Sequence, residues 1–350
     1  MSRNDIIERL RTAYQRGDLT LYLGAGVSAG NGLPSWDRLV LAMYFAATEA
    51  DIPIQAHPNY LFAIAEWHLQ RRREPLDITA RKIRHFYDEA QFIEQLRHSL
   101  YAGFKFPGDR TIQRPENLLD ANPTLASVIR LCQERAGVRR PVRSVITYNY
   151  DSLVEFALGD RAQAVWRADQ VLTDRLPIYH VHGYVPLPGM SSGEGSAATE
   201  IIFTEEQYHL ASQDAYAWSN LVQLQAVSSS VGLMIGLSLT DRNMRRILDA
   251  VRGTPLRGEH YALIQHPQWP RPDQGDLERI KHAAHLYYQD FAKSGIKTED
   301  KEFGQIAALI SQVEAMDFAQ EEAVLGDLGV HVLWYEQHAE IPDIIDQVLA

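Results

Sequence analysis

Four short polar segments hold the residue types best suited to chemistry, and each follows an apolar run. These segments are residues 24–37, 147–151, 180–183 and 236–243. In the first, Gly24-x-Gly26-x-x-Ala29 fits the G-x-G-x-x-G/A pattern, in which missing side chains let the backbone approach a pyrophosphate. Amide N–H groups at a helix start do the binding. The first segment therefore predicts a dinucleotide-binding loop, with a plain glycine-rich turn as the alternative.

The second and third segments supply an amide and an imidazole. Asn149 offers both a donor and an acceptor, and His182 can accept a proton from a hydroxyl or a water near neutral pH. Gly183 follows His182 and lets the chain turn without covering the ring. A packed, hydrogen-bonded histidine is the alternative interpretation. We interpret His180, two residues back on the same predicted strand face, as structural, because no third ligand for a His-x-His metal site is evident nearby.

Each segment follows a predicted strand, which is where open α/β sheets place ligands. Apolar runs predict strands at residues 19–23, 141–148, 164–166, 177–182, 200–204, 229–237, 259–264 and 330–335. Helical patterns occupy residues 4–16, 38–50, 60–71, 91–100, 124–134, 151–158, 219–227 and 341–349. Strands that alternate with helices predict an α/β, Rossmann-like fold, with a mostly parallel sheet and helices on both faces.

Two regions look like insertions into this fold. Residues 38–139 are helical in pattern and interrupted by prolines, which predicts a helical insertion. Residues 266–324 turn polar and helical again and predict a second insertion near the C-terminus. A Rossmann dehydrogenase would place an acidic residue about 20 positions beyond the glycine loop, closing a second strand. Here Glu49 and Asp51 fall in the helical insertion, which disfavours a dehydrogenase.

Composition limits the partners and the compartment. The formal net charge of −11 argues against direct binding of nucleic acid, since that affinity comes mainly from Lys and Arg neutralising phosphates. Cys132 is the single cysteine, which excludes a disulfide within the chain and a multi-cysteine zinc site. No stretch approaches the roughly 18 apolar residues of a membrane span, and the charged N-terminus lacks a signal core. We expect a cytoplasmic protein that does not bind a membrane.

The four segments, in this order, resemble the sirtuin superfamily over about residues 19–243. Its members carry a glycine loop of GAG-x-S type, a T-x-N-x-D segment, a catalytic His-Gly and a late G-x-S. Zinc-bearing deacylase sirtuins place four cysteines after the His-Gly, and this chain has none there. Tyr148-Asn149 replaces their Gln-Asn pair, and Trp36 stands where they have Phe. The chain is more similar to the zinc-less sirtuin-like NAD hydrolases of bacterial phage-defence systems.

The resemblance implies a sirtuin-like catalytic domain over residues 1–350 and roles for individual residues. His182 would be the general base, and Asn149 would orient a water or a ribose hydroxyl at the anomeric carbon of NAD. Asp151 would contact the nicotinamide carboxamide, with capping of the following helix as an equal alternative. Trp36 would cover the nicotinamide ribose or pack in the core. The other candidate NAD-binding residues are Gly24, Ala25, Gly26, Ser28, Gly236, Ser238 and Asn243.

The implied function is an NAD glycohydrolase that yields nicotinamide and ADP-ribose or cyclic ADP-ribose, with NAD as its substrate and no zinc. Its activity must be gated, because an unregulated enzyme would starve its own cell. We expect an effector of anti-phage defence that forms a homo-oligomer and acts with a partner such as an ATPase, a translocase or a phage-sensing protein. The alternatives are an NAD-dependent protein deacylase, which needs a peptide groove beside a zinc module, and a non-catalytic NAD or ADP-ribose sensor, which needs no base.

Overall fold

A computed structural model describes residues 1–49, 58–104, 115–133, 140–170, 172–189, 201–253, 258–267, 273–287 and 303–350. Asp51 and residue 200 lie outside these ranges, as do parts of both predicted insertions. The chain divides into two compact units. The larger comprises Met1–Gln265 and Leu328–Ala350, and the smaller comprises His266–Asp327.

The larger unit is built on a seven-stranded sheet in which neighbouring strands are parallel. Its strands are β1 (Leu19–Leu23), β2 (Val142–Thr147), β3 (Ala162–Val165), β4 (Leu176–His180), β5 (Val231–Ile235), β6 (His260–Gln265) and β7 (Val330–Tyr335). Their spatial order is β3-β4-β2-β1-β5-β6-β7. Helices surround this sheet, which confirms the predicted Rossmann-like α/β fold.

The central strand β1 decides where the sheet can bind a ligand. Every residue of β1 is buried, and the strand pairs with β2 on one side and with β5 on the other. The chain moves from β1 outward through β2 and later returns to the opposite side of β1 at β5. In open α/β sheets, ligands bind beyond the carboxyl ends of strands at such a reversal. The ends of β1, β2 and β5, with β4 beside β2, therefore define the candidate site.

Helices of the larger unit lie around the sheet, and several of them bury a large apolar core against it. They are α1 (Arg3–Arg16), α2 (Trp36–Glu49), α3 (Pro58–Arg72), α4 (Leu76–Arg84), α5 (Glu89–Tyr101), α6 (Pro115–Asp120), α7 (Pro123–Cys132), α8 (Leu153–Leu158), α9 (Glu205–Gln213), α10 (Trp218–Ser229), α11 (Arg242–Arg252) and α14 (Ile341–Leu349). A capping box between Ser2 and Asp5 begins α1. Ile6 and Leu10 belong to the buried stripe of this helix, which packs against α14.

The structure corrects two predicted strands. Residues 201–204 form no strand. Instead, Thr204 caps α9: its hydroxyl accepts from Gln207 N, and the Gln207 side chain accepts from Thr204 N. This capping box makes Thr204 the start of a helix and not the end of a strand. β4 ends at His180 and not at residue 182, because the N–H of Gly183 turns back to donate to the His180 carbonyl at 3.2 Å.

The smaller unit is helical in the part that the structure describes. Its helix α12 (Gln274–Tyr287) contacts α13 (Phe303–Asp327). The rings of His266 and Phe318 stack with centroids 4.8 Å apart. Across the described residues of both units, no helix combines the length and the apolar character needed to cross a membrane.

Candidate functional site

Glycines let the loops after β1 and β5 touch each other. A Cβ added to Gly24 would lie 2.4 Å from the carbonyl oxygen of Gly236, and one added to Gly26 would lie 2.7 Å from Gly236 Cα. Gly236 has a φ of +68°, and its own Cβ would lie 2.6 Å from Val27 N. A side chain at any of these three positions would push the two loops apart. The glycine pattern is therefore explained by contact between the loops.

Backbone hydrogen bonds fix the same two loops. The N–H groups of Gly24 and Gly26 donate to the chain at the end of β5, at 3.0 and 3.1 Å. Those of Val27 and Ser28 donate within the loop, where Ala25 begins a short 3-10 helix. These four N–H groups are committed to partners in the protein. The predicted binding of a pyrophosphate must therefore rely on other donors of the loop.

Ser28 connects the glycine loop to the segment after β2. Its side chain is buried and donates to Asp151 Oδ2 at 2.8 Å. Asn149 Nδ2 donates to the Gly24 carbonyl at 3.0 Å and lies 3.4 Å from Ser28 Oγ. Asp151 Oδ1 accepts from Leu153 N at the start of α8, and burial raises the pKa of this carboxyl group. The structure thus brings Ser28, Asn149 and Asp151 together, and Asp151 has a capping role.

His180 is tied into the protein interior beneath Asn149. Its side chain is fully buried, with Nε2 lying 2.5 Å from Glu155 Oε1. Its Nδ1 lies 3.2 Å from the carbonyl oxygen of Asn149, and the ring of Tyr184 contacts it edge-on at 4.7 Å. Both ring nitrogens therefore have partners. His180 links α8 to the backbone of Asn149, in line with its interpretation as a structural residue.

His182 lies in the turn after β4 and has different neighbours. The residue is 6% exposed, and Tyr148 and Tyr208 contact its ring edge-on with centroids 5.1 and 5.5 Å away. His182 Nε2 lies 3.6 Å from Asp241 Oδ2, which is an ion-pair distance and slightly beyond a hydrogen bond. Burial lowers the pKa of His182 from its ordinary value of 6.5, and the Asp241 carboxylate partly opposes that effect. Near neutral pH the ring is therefore uncharged and able to accept a proton.

Asp241 is a residue of this site that we did not single out from the sequence, and so are Tyr208 and Arg246. Its Oδ1 accepts from Met244 N at 2.7 Å and so caps α11. Its Oδ2 faces His182. The sequence does carry a sign of the first role, because Asp is one of the residues preferred at a helix N-cap. The proximity to His182 depends on the packing of β4 and β5 on opposite sides of β1 and has no local signal.

A cavity of ≈ 340 Å³ opens beside Asp241. Aromatic walls from Trp36 and Tyr208 line it, together with the carboxylates of Asp77, Glu205 and Asp241 and the cationic side chains of Arg242 and Arg246. Small-molecule pockets usually have volumes of about 300–1,000 Å³ and combine apolar walls with a few polar groups. The cavity thus gives a small ligand access to the carboxyl end of the sheet next to the His182–Asp241 pair.

The remaining predicted site residues divide between this cavity and the surface. Trp36 is the half-buried first residue of α2, and its ring lies 6.4 Å from that of Phe203. Asn243 also lines the cavity, but its side-chain amide is already bonded, donating to Asn220 and accepting from Arg246. Ser238 is exposed, and its hydroxyl pairs with Thr240 at 2.7 Å. Its partner Thr240 lines the cavity.

Among the described residues, no group of three or more His, Cys, Asp or Glu side chains is arranged to hold a metal ion. The expectation that the protein binds no zinc remains a prediction. The unpaired Cys132 is half-buried, and burial raises the pKa of its thiol to about 12. A protonated thiol is a poor metal ligand and a poor nucleophile.

Comparison with known families gives a match to the part of the chain that contains most of β2 and all of β3 to β6. Residues 143–288 match the SIR2-like domain family. The match supports a sirtuin-like family and an NAD-related activity, since SIR2-like domains use NAD and are generally enzymatic. Asn149, His182 and Asp241 lie inside the matched range, whereas the glycine loop precedes it. A search of the curated proteins finds no match.

Proposed function

We propose that this protein is an NAD glycohydrolase that breaks the bond between nicotinamide and ribose. One observation carries the proposal. Three segments of a SIR2-like site converge at the carboxyl end of the sheet, where Tyr148 packs against His182 and the adjacent Asn149 bonds the glycine loop at Gly24. The candidate base and the candidate orienting amide therefore lie on connected segments, and the base lies 3.6 Å from Asp241, which lines the cavity.

The proposed reaction needs positioning more than strong acid catalysis. The nicotinamide leaves a pyridinium cation as a neutral molecule, taking both electrons of the broken bond between its ring nitrogen and ribose C1′. A water, or an adenine nitrogen in the cyclising reaction, then forms the new bond to C1′. Asn149 orients the attacking water and stabilises the oxocarbenium-like centre. His182 accepts the proton that the water loses.

The groups around Asn149 and in the cavity also suit NAD as the substrate. The Nδ2 of Asn149 donates to the Gly24 carbonyl, which fixes the side chain and directs its carboxamide oxygen as an acceptor for a water or a ribose hydroxyl. The cavity supplies Trp36 and Tyr208 for stacking and Arg242 and Arg246 for phosphate charge. These features support NAD as the substrate.

The test is incubation of the purified full chain with NAD, alone and together with a neighbouring-gene partner and its trigger, followed by separation of the products. We expect nicotinamide together with ADP-ribose or cyclic ADP-ribose. The Asn149→Ala variant should be slower by a factor on the order of 10², which is typical for loss of a positioning group. A loss of only severalfold would make Asn149 structural. NAD consumption that requires an acylated peptide and yields O-acyl-ADP-ribose would identify a deacylase.

We further propose that the enzyme is a gated effector of bacterial anti-phage defence that works as an oligomer with a sensing or ATPase-type partner. The support is the resemblance to zinc-less sirtuin-like NAD hydrolases and the toxicity of unregulated NAD depletion. Expression together with a neighbouring-gene partner and its trigger should deplete cellular NAD and arrest growth. The same strain with Asn149→Ala should keep its NAD and grow. Equal depletion in both strains would contradict the proposal.

A further inference from the structure

We propose that Asp241 is a positioning residue for His182: its carboxylate orients the imidazole and stabilises the ring when it takes up a proton. This inference rests on the proposed function for its catalytic meaning. The pairing itself is a property of the folded chain. Asp241 contributes one oxygen to helix capping and the other to His182.

Capping gives the carboxylate a fixed orientation. The Oδ1 atom accepts from Met244 N at 2.7 Å, and the Asp241 carbonyl accepts from Arg245 N at 3.1 Å in the first turn of α11. These two bonds leave the side chain little rotational freedom. Its Oδ2 atom lies 3.6 Å from His182 Nε2, and only 18% of the side chain is exposed. The carboxylate therefore faces the imidazole from a rigid helix start.

The other groups around His182 carry no charge near neutral pH. Tyr148, after β2, is bonded through its hydroxyl to Gln223 Oε1 at 2.6 Å. Tyr208 approaches from α9. Burial raises the pKa of both phenols, so they remain protonated. The segment before α9 contributes a backbone group, the N–H of Ile202, which donates to the His182 carbonyl. Asp241 is thus the charged side chain among these neighbours of the ring.

The buried surroundings explain why a carboxylate is needed there. Proton transfer from water to His182 creates a cation in a site that is largely shielded from solvent, where an unpaired charge is costly. A carboxylate at an ion-pair distance offsets that cost and interacts more strongly than it would in water. Without it, the imidazole would stay neutral and would be a weaker base.

A single substitution separates this role from capping. Asn caps helices about as well as Asp does, so Asp241→Asn removes the charge and preserves the bond to Met244 N. Asp249→Asn is the matched control, because it makes the same charge change on an exposed position of the same helix. Two quantities are measured for the full-length proteins: the NMR titration midpoint of the His182 ring, and the pH dependence of kcat and KM for NAD cleavage.

We expect the Asp241→Asn variant to lower the His182 midpoint by about one pH unit. Its kcat should fall by about tenfold or more, with a small change in KM. Its unfolding midpoint should stay close to that of the wild type, and Asp249→Asn should change none of these values. An unchanged His182 midpoint, or an unchanged kcat, would overturn the proposal. If the wild type does not cleave NAD with its partner and trigger present, the proposed function fails, and the ring titration alone then decides whether Asp241 controls His182.

Discussion

Two sides of the sheet's carboxyl end differ in how completely their polar groups are satisfied. On the packed side, His180 has partners for both ring nitrogens, and the loops at Gly24 and Gly236 are in backbone contact. On the open side, His182 meets Asp241 at 3.6 Å next to a cavity. Buried polar groups in protein interiors are normally bonded. A looser arrangement beside a cavity leaves bonding capacity for a ligand.

His180 and His182 are only two positions apart, yet they have different roles. His180 ends β4, and its side chain bonds Glu155 of α8. The turn after His180 carries His182 away from the strand geometry, so the two side chains reach different neighbours. The packed side can then be rigid, and the open side can exchange protons with a substrate. Three substitutions and one pH measurement test whether the two sides differ in this way.

The largest effect is expected at the open side. His182→Ala should abolish NAD cleavage, because it removes the general base, and should leave the fold intact. The measurement is nicotinamide release by the purified variant. His85→Ala is the control, since His85 is exposed and belongs to neither the cavity lining nor the His182–Asp241 pair. Cleavage by His182→Ala near the wild-type rate would remove His182 from the chemistry.

The packed side should respond in stability. His180→Ala leaves Glu155 without its partner in the interior, and loss of one member of a buried pair costs about 3 kcal/mol. Denaturant unfolding measures this change in the free energy of unfolding. The exposed His85→Ala variant should lie within about 0.5 kcal/mol of the wild type. An equally small change for His180→Ala would show that its bonds are not important for stability.

The contact between the glycine loops predicts a somewhat smaller loss. Gly236→Ala places a Cβ 2.6 Å from Val27 N at a left-handed backbone position, which should cost about 2 kcal/mol. Gly253→Ala is the matched control, because a Cβ there would meet nothing within 4 Å. Thermal unfolding compares the two variants. Equal melting temperatures would contradict the tight loop contact.

The smallest expected effect is a shift in pH dependence. Cleavage requires neutral His182, and burial lowers the pKa of this ring from 6.5. As pH falls, activity should therefore persist below pH 6.5 and disappear only when the pH passes through the lowered pKa. The acid limb of the kcat profile measures this value. A half-maximal rate above pH 6.5 would contradict the burial argument.

Local sequence patterns were sufficient for much of the fold. The apolar runs predicted β1 and β7 with their observed bounds, and amphipathic spacing predicted α14. The run at residues 200–204 was wrong, because side-chain capping by Thr204 and Gln207 outweighed its apolar pattern. Helices α4, α6, α9 and α11 were not among the predicted helices. The first two are short and begin at or directly after a proline, which marked those positions as breaks.

The candidate site was less accessible to sequence reasoning, because its key contacts join distant segments. The binding of a pyrophosphate by the glycine loop stays a prediction, and the contact of Gly24 and Gly26 with Gly236 could not be predicted from the local pattern. The separate roles of the two histidines depend on where β4 ends, since a longer strand would have placed both rings on one face. The approach of Asp241 to His182 depends on the order of strands around β1.

The most direct test of the proposed role of His182 is whether NAD recovered from its complex with folded His182→Ala is intact or cleaved. The variant is titrated with NAD in a calorimeter, and the bound nucleotide is then released and separated. The account predicts binding within about tenfold of the wild-type affinity, because His182 performs chemistry and contributes little to the fold. The recovered NAD should be intact. Recovery of nicotinamide and ADP-ribose, or loss of NAD binding by the folded variant, would contradict it.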